Sequence, residues 1–324
     1  MKRILISRTD SIGDVALTLP MCQALRNKFP AAEIIFIGKN YTRPVVACFT
    51  AIDAFWDIDE LFNQPITSQL EQLKADCIIH VFPNKKLAFL AKKAKIPMRI
   101  GTSHRVFHLF TCNERPNFTR KNSTLHESQL NFHLLSPLGI NQIPSFQDIQ
   151  QFVQFSVIPA ELPTWIPASK DDVIILHPKS KGSALEWPLE KYMDLASQLA
   201  DSGKTVCFTG TEQEGMQFRK LIPVHERIMD TTGKLSLEQL ITLISRSNAL
   251  VACSTGPYHI AGLSGIHAIG LFSMRRPIDP GRWRATGPKA EYIVFDQTCE
   301  TCKKGKNCTC IENIEVSTVL EVIG

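Results

Sequence analysis

The feature that most restricts this chain is an alternation of short apolar runs with segments of helical spacing. "RILIS" at 3–7, "EIIFIG" at 33–38, "CIIHVFP" at 77–83 and "MRIG" at 98–101 are apolar through their middles. A strand with one wet face alternates apolar and polar residues, whereas a continuous apolar run fits a parallel strand covered on both sides. Helices are expected over 14–28, near 41–49, near 84–94 and over 125–138. The pattern restarts with the strand "VIILHP" at 173–178. A helix over 189–202, the strand "KTVCFTG" at 204–210 and helices over 212–221 and 236–247 follow. Then come the strand "ALVAC" at 249–253, a short helix over 257–264, the strand "HAIGLF" at 267–272 and a helical tail over 314–323. Between the halves, residues 141–172 carry several prolines and little helical periodicity, and read as a connection.

Strands alternating with helices imply an α/β fold. With 324 residues there is room for two domains. Rossmann-like domains are therefore expected over 1–155 and 156–324, with the extreme C-terminal helix a candidate to pack back on the first. Such sheets bind ligands beyond the carboxyl ends of their strands, so two facing halves would make a cleft. No G-x-G-x-x-G follows the first strand and no Walker A sequence is present, which disfavours a dehydrogenase or a P-loop enzyme. No apolar run reaches the roughly 18 residues of a membrane span. The opening "MKRILISRTD" turns polar too soon for a signal peptide. A cytoplasmic location is expected, with the ten cysteines reduced.

Charge is uneven. Residues 85–121 hold six lysines and four arginines against one acid, Glu114. That stretch is either a solvated face or a surface for an anionic partner, such as phosphorylated lipid or the inner leaflet of a membrane. It shows no aromatic stacking pattern or motif for nucleic acid.

Four stretches at strand ends carry the chemistry. In "TDSIGDVALTLP" (9–20), Gly13 permits a tight turn and Asp14 falls in the first helical turn. Ser11 and Asp14 fit a capping box; alternatively, Asp14 is a carboxylate facing a ligand, able to act as a general base. In "HPKSKGSALEWP" (177–188), Lys179 and Lys181 offer cations, while Ser180, Gly182 and Ser183 offer donors and flexibility. Such a loop suits a diphosphate, and an ordinary exposed loop is the alternative. In "FTGTEQE" (208–214), Gly210 ends a strand, and Glu212 or Glu214 is placed to accept hydrogen bonds from ribose hydroxyls. In "CSTGPYHIAGLSG" (253–265), Ser254, Thr255 and Gly256 make a turn into a helix started by Pro257, with His259 in its first turn.

Two further stretches stand out. "SMRRPIDPGRWRATGP" (273–288) offers Arg275 and Arg276 as holders of a diphosphate or an acceptor phosphate. "CETCKKGKNCTC" places Cys299, Cys302, Cys308 and Cys310 within twelve residues. Four thiols can ligate zinc tetrahedrally, but C-x5-C-x-C is not a standard ribbon spacing, so structural zinc, free thiols and disulfides all stay open.

Taken in order, these stretches resemble glycosyltransferase family nine, which contains the ADP-heptose:lipopolysaccharide heptosyltransferases. The opening pattern is matched by Ile4, Leu5, Ile6, Arg8, Gly13, Asp14, Thr18, Leu19 and Pro20. Leu25, Arg26, Pro30, Ala32 and Ile34 continue it, and His177, Pro178, Trp187 and Pro188 match the later "H-P … W-P". Thr255, Gly256, Pro257, His259 and Ala261 match "T-G-P-x-H-x-A", and Gly270, Leu271 and Phe272 match "G-L-F". The resemblance implies a GT-B fold with acceptor on the first domain and nucleotide sugar on the second. It also implies an inverting, metal-independent transfer with Asp14 as general base. Arg8, Ser11 and Gly13 become acceptor or phosphate candidates beside it. The implied partners are an ADP-heptose or other nucleotide-sugar donor and a lipid-linked or lipopolysaccharide-core acceptor. Two positions depart from the characterised heptosyltransferases: Leu185 stands where they carry Lys, and Ser254 where they carry Asp. Both touch the donor site. They leave open a different nucleotide sugar, or a module that binds nucleotide or glycan without turnover.

Overall fold

Each apolar run becomes a strand of one of two parallel sheets in the computed structural model, which describes residues 1–121, 123–166, 172–305 and 308–324. The chain divides into two compact units, Met1–Ser156 and Val157–Gly324. The first contains β1 (Arg3–Ser7), β2 (Glu33–Gly38), β3 (Ala54–Asp57), β4 (Cys77–His80) and β5 (Met98–Ile100) in the order β3-β2-β1-β4-β5. The second contains β6 (Val173–His177), β7 (Thr205–Phe208), β8 (Ile228–Asp230), β9 (Ala249–Cys253), β10 (His267–Phe272) and β11 (Ala290–Val294) in the order β11-β10-β9-β6-β7-β8. All the pairings are parallel. In each sheet the strand order reverses at the first strand: β1 lies between β2 and β4, and β6 between β7 and β9. Doubly wound sheets hold ligands outside the carboxyl ends at such a reversal. Residues following Ser7, His177 and Cys253 occupy those positions.

The central strands are buried on both faces; Ile4, Leu5, Ile6, Ile34, Ile35, Phe36, Ile174, Ile175, Leu250 and Val251 are at most 1% exposed. The core of the second unit is built around Trp187, whose ring meets Tyr192 edge-on at 4.9 Å. The Trp187 indole N–H donates to the Ile314 carbonyl at 3.0 Å, which satisfies its only donor. The terminal helix Val316–Ile323 packs on the Leu189–Asp201 helix and β10. Its Val316 and Val319 belong to the core of the second unit, with Leu320 and Ile323 packed against it. This corrects the expectation that the tail returns to the first domain: the spacing i, i+3, i+4, i+7 puts one apolar stripe on this helix, and the second core takes it.

Other elements differ in detail. The helix expected over 14–28 is two, Ile12–Ala16 and Leu19–Lys28, with Pro20 in the first turn of the latter. Proline cannot donate within a helix interior, so the chain restarts there. The helix expected over 125–138 ends at Phe132 and tightens into a 3-10 turn around Pro137. The connection carries its own short helix, Phe146–Ile149, and its residues 167–171 lie outside the described set. β3, β8 and β11 had no counterpart in the sequence reading; they are edge strands and largely half-exposed. Among the described residues no helix is long and apolar enough to cross a membrane.

His80 ends β4 and is 1% exposed, and neither of its ring nitrogens has a hydrogen-bond partner among the described residues. Burial pushes its pKa down to about 3, helped by the nearby His108 and Arg99. The folded state therefore declines a proton that the unfolded chain takes below about pH 6.5. Stability conferred by neutral His80 is complete above that value and falls as pH drops toward 3, by about 1.4 kcal/mol per unit. Denaturant midpoints measured across this window should show a shallower decline in His80→Leu than in the unaltered protein.

Candidate active site

Arg8 follows β1 and is 4% exposed. Its three guanidinium nitrogens reach three different carboxylates. Nε donates to Asp10 at 2.7 Å, Nη1 reaches Glu127 at 3.4 Å, and Nη2 pairs closely with Asp14 Oδ1. Burial by itself disfavours the Arg8 charge, but Asp10, Asp14 and Glu127 outweigh it and raise the pKa further. Ser11 Oγ donates to the other oxygen of Asp14 at 2.5 Å. The Ile12–Ala16 helix has no side-chain cap hydrogen bond from Ser11. The Ser11–Asp14 spacing thus yields a side-chain pair instead of a capping box, and the Asp14 carboxylate is held by Arg8 and Ser11. Gly13 is buried in the turn beneath it.

Asp10 and Glu127 escaped the sequence reading. Burial, reinforced by the charge of Asp14, raises Asp10 to about 6 against the opposing pull of Arg8. Tyr41 Oη donates to the Asp10 carbonyl at 2.6 Å. Glu127 begins the Glu127–Phe132 helix, is 1% exposed, and also accepts from Arg120 Nε at 3.0 Å. Arg120 in turn donates to Asn131 Oδ1 at 2.9 Å, and Asn131 Nδ2 donates to the Leu17 carbonyl at 3.2 Å. The helix carrying Glu127 is thereby tied to the segment after Asp14. Removing one member of a buried ion pair strands the others and typically costs about 3–5 kcal/mol, so this geometry is stiff.

In the second unit the loop after β6 turns at Lys181 (φ 51°) and Gly182 (φ 80°). A left-handed conformation strains a lysine but not a glycine. Inside the turn, Ser180 N and Oγ both donate to Glu186 Oε1, at 2.8 and 2.9 Å, and Lys179 Nζ pairs closely with Glu186 Oε2. Lys179 is therefore already neutralised. Lys181 is exposed, and among the described residues no acid pairs with it. Ser183 Oγ donates to the Ser180 carbonyl at 2.8 Å and to the Ser254 carbonyl at 3.1 Å, joining this loop to the turn after β9. Leu185 packs against the core of the unit. His177 Nδ1 lies 2.9 Å from Thr209 Oγ1, linking the ends of β6 and β7. Burial holds His177 down at about 4, with Glu214 and Glu186 opposing and Lys181 assisting.

The two glutamates after Gly210 separate cleanly. Glu214 is buried and closes a capping box with Thr211, accepting from its N–H at 2.7 Å and its hydroxyl at 2.9 Å. The T-x-x-E spacing was the signal for this. Glu212 is exposed, and both its oxygens accept from Arg219 at 2.8 Å. After β9, Thr255 is the N-cap of the Gly256–Leu263 helix without a side-chain cap bond. Its Oγ1 is buried and has no hydrogen-bond partner among the described residues. His259 is 3% exposed, in the first turn beside the Tyr258 ring. Arg275 is half-buried and Arg276 exposed; among the described residues neither guanidinium pairs with an acid.

The sulfurs of Cys299, Cys302, Cys308 and Cys310 all lie within 4.8 Å of one another. Cys299 and Cys308 are 3.6 Å apart, and Cys308 and Cys310 3.2 Å. Zinc–sulfur bonds of about 2.3 Å put the corners of a tetrahedron about 3.8 Å apart, so the four thiols fit an ion. The backbone N–H of Cys302, with the Cys310 and Cys308 thiols, lowers Cys299 to about 7. Burial raises Cys302 to about 11.

The sequence also matches known proteins. The model of glycosyltransferase family 9 (heptosyltransferase) matches residues 65–311. The lipopolysaccharide core heptosyltransferase OpsX of Haemophilus influenzae is 22% identical over 300 residues, covering 86% of this chain and 80% of that protein. Among solved structures, E. coli ADP-heptose lps heptosyltransferase II superposes with a TM-score of 0.76 at 18% identity, covering 100% of this chain and 97% of that one. The iron-containing dodecameric glycosyltransferase TibC of enterotoxigenic E. coli H10407 gives 0.59 at 12% identity, covering 99% and 75%. The two parallel-sheet domains are those of a GT-B enzyme, and the chain belongs to glycosyltransferase family 9.

Proposed function

We propose that this glycosyltransferase moves a sugar, with heptose the leading candidate, from a nucleoside-diphosphate donor to a lipopolysaccharide-core or similar glycan acceptor. The single observation that carries the mechanism is the carboxylate of Asp14, gripped by Arg8 and Ser11 at the carboxyl end of β1 instead of capping its own helix. Asp14 takes the proton of an acceptor hydroxyl. The oxygen bonds to the anomeric carbon as the bond to the nucleoside diphosphate breaks, inverting that carbon. The departing diphosphate takes the bonding electrons, and its charge is met by Lys181, by the backbone of the 180–183 turn and by Thr255 at the start of the Gly256–Leu263 helix. The uncommitted guanidiniums of Arg275 and Arg276 are the next nearest candidates in sequence. Lys179 is a weaker donor ligand than Lys181, because Glu186 already cancels its charge.

A second reading keeps the chemistry and changes the sugar nucleotide. Leu185, folded onto the core where heptosyltransferases carry a cation, favours it. The reaction itself uses no metal in either reading. The four cysteines would hold a structural zinc or, by likeness to the iron-containing TibC, an iron. With a lipid-linked acceptor, the enzyme works at the inner face of the cytoplasmic membrane.

Asp14→Asn is expected to lower kcat by at least about 10²-fold in the protein that stays folded, alongside a drop in melting temperature from the broken Arg8 pair; near-full turnover in that variant removes Asp14 from the reaction. Lys181→Ala should weaken binding of the donor nucleotide by about tenfold in calorimetric titration, the loss of one charge-assisted contact. A thermal-shift panel of ADP-, UDP- and GDP-sugars separates the two readings, since a ligand at 100 times its Kd stabilises by about 2.7 kcal/mol. Elemental analysis of the purified protein should find about one zinc or iron per chain, lost in Cys302→Ser; a metal-free native protein refutes the thiolate centre.

A further inference from the structure

The strongest unexplained surface lies on the first unit, on the two helices that follow β4 and β5. The Lys85–Lys93 helix is capped by Asn84, whose side chain accepts from Leu87 N at 3.0 Å. It buries Leu87, Ala88, Leu90 and Ala91 against the sheet. Its exposed residues are Lys85, Lys86, Phe89, Lys92 and Lys93, at the spacing i, i+1, i+4, i+7, i+8 that makes one face. No acidic residue occurs between Lys85 and Asn113. Among the described residues, no carboxylate pairs with Lys85, Lys92, Lys93, Lys95 or Arg105. Lys86 lies over the Phe62 ring at 4.0 Å. Soluble surfaces ordinarily intersperse both signs, and this one does not.

The neighbouring helix, Val106–Thr111, packs against the first. It turns His108 and Thr111 inward, with His108 beside His80 at 5.7 Å between rings. Outward it presents Val106, Leu109 and Phe110, which are 74%, 53% and 64% exposed. The spacing i, i+3, i+4 again makes one face. Phe82 and Phe89 add apolar surface at 39% and 46% exposure. Beside Phe89 is a groove of about 720 Å³ ringed by Lys86, Lys92, Lys93 and Lys95.

We propose that these two helix faces dock the protein on an anionic lipid bilayer, with Val106, Leu109 and Phe110 entering the interface and the flanking lysines meeting headgroup phosphates. The occupant follows from complementarity. Aromatic and aliphatic side chains framed by cations with long apolar stems are the composition that settles at a headgroup–acyl boundary. A leaflet rich in anionic lipid attracts each nearby Lys or Arg by a factor on the order of fivefold in binding constant. The inference extends the reading of a lipid-linked acceptor, but its test involves neither donor nor acceptor, so the two fail separately.

The test is sedimentation of the full chain with vesicles of phosphatidylcholine, with and without phosphatidylglycerol, at low and high salt. The protein should pellet with the phosphatidylglycerol vesicles, and less so as salt rises. Lys92→Glu/Lys93→Glu should weaken that binding by an order of about tenfold or more. Leu109→Ser/Phe110→Ser should weaken it by on the order of tenfold and leave a residue that salt abolishes. Both sites are exposed, so unchanged melting temperatures accompany these losses. Absence from the vesicle pellet overturns the proposal, as does binding that neither double variant alters. A concentration-dependent self-association abolished by Leu109→Ser/Phe110→Ser, without vesicle binding, overturns it in favour of a protein contact.

Discussion

A parallel strand buried on both faces has no place for a polar side chain along its length, and every polar group needed for chemistry has to wait for the strand's end. The architecture follows from this constraint. After Arg3 at its open end, β1 is apolar until Ser7, and Arg8 is the first side chain beyond the strand with room to act; β6 is apolar until His177, and β9 until Cys253. Because both sheets reverse their order at these strands, neighbouring crossovers diverge and leave the ends open. Arg8 then turns position into electrostatics. One buried guanidinium spreads over three carboxylates from two distant parts of the chain, fixing where Asp14 stands and in which direction its oxygens point.

The sequence was most readable where burial was complete. Continuous apolar runs fit two-sided strands, and each of the eight runs read that way is a strand. β3, β8 and β11 were invisible because edge strands need satisfy only one neighbour; "AFWD" and "IMD" are too short and too mixed to carry a period. The split between the Ile12–Ala16 and Leu19–Lys28 helices is legible in Pro20, because a proline marks a helix start more strongly than apolar spacing marks its continuation.

The candidate site was legible by position and poorly legible by partner. Asp14, Lys181, Thr255 and His259 stand at the strand ends where the motifs put them. Glu127 could not have been anticipated, since nothing local ties residue 127 to residue 8. Glu186 is similar: its role as acceptor for Lys179 and Ser180 depends on how the 180–183 turn folds back. The exchange of a cation for Leu185 reads differently once Glu186 is included. The loop spends one lysine on holding its own shape and leaves the other, at a left-handed turn, uncommitted. On the proposed reading, the charge that this loop offers a diphosphate rests on the placement of one ammonium group.

The hydrogen bond from the Trp187 indole to the Ile314 carbonyl bears on how the protein is made. The wall supporting the 180–186 loop is assembled from two segments far apart in the chain, and the later one includes the final helix. Domains generally fold as units, the N-terminal one first during synthesis. A nascent chain can therefore complete the sheet bearing Asp14 while the second unit still waits for residues 314–323 to emerge. A chain cut before Ile314 would keep the first unit and lose the carbonyl and the apolar helix stripe that close the core beneath the 180–186 loop, leaving that loop without its support.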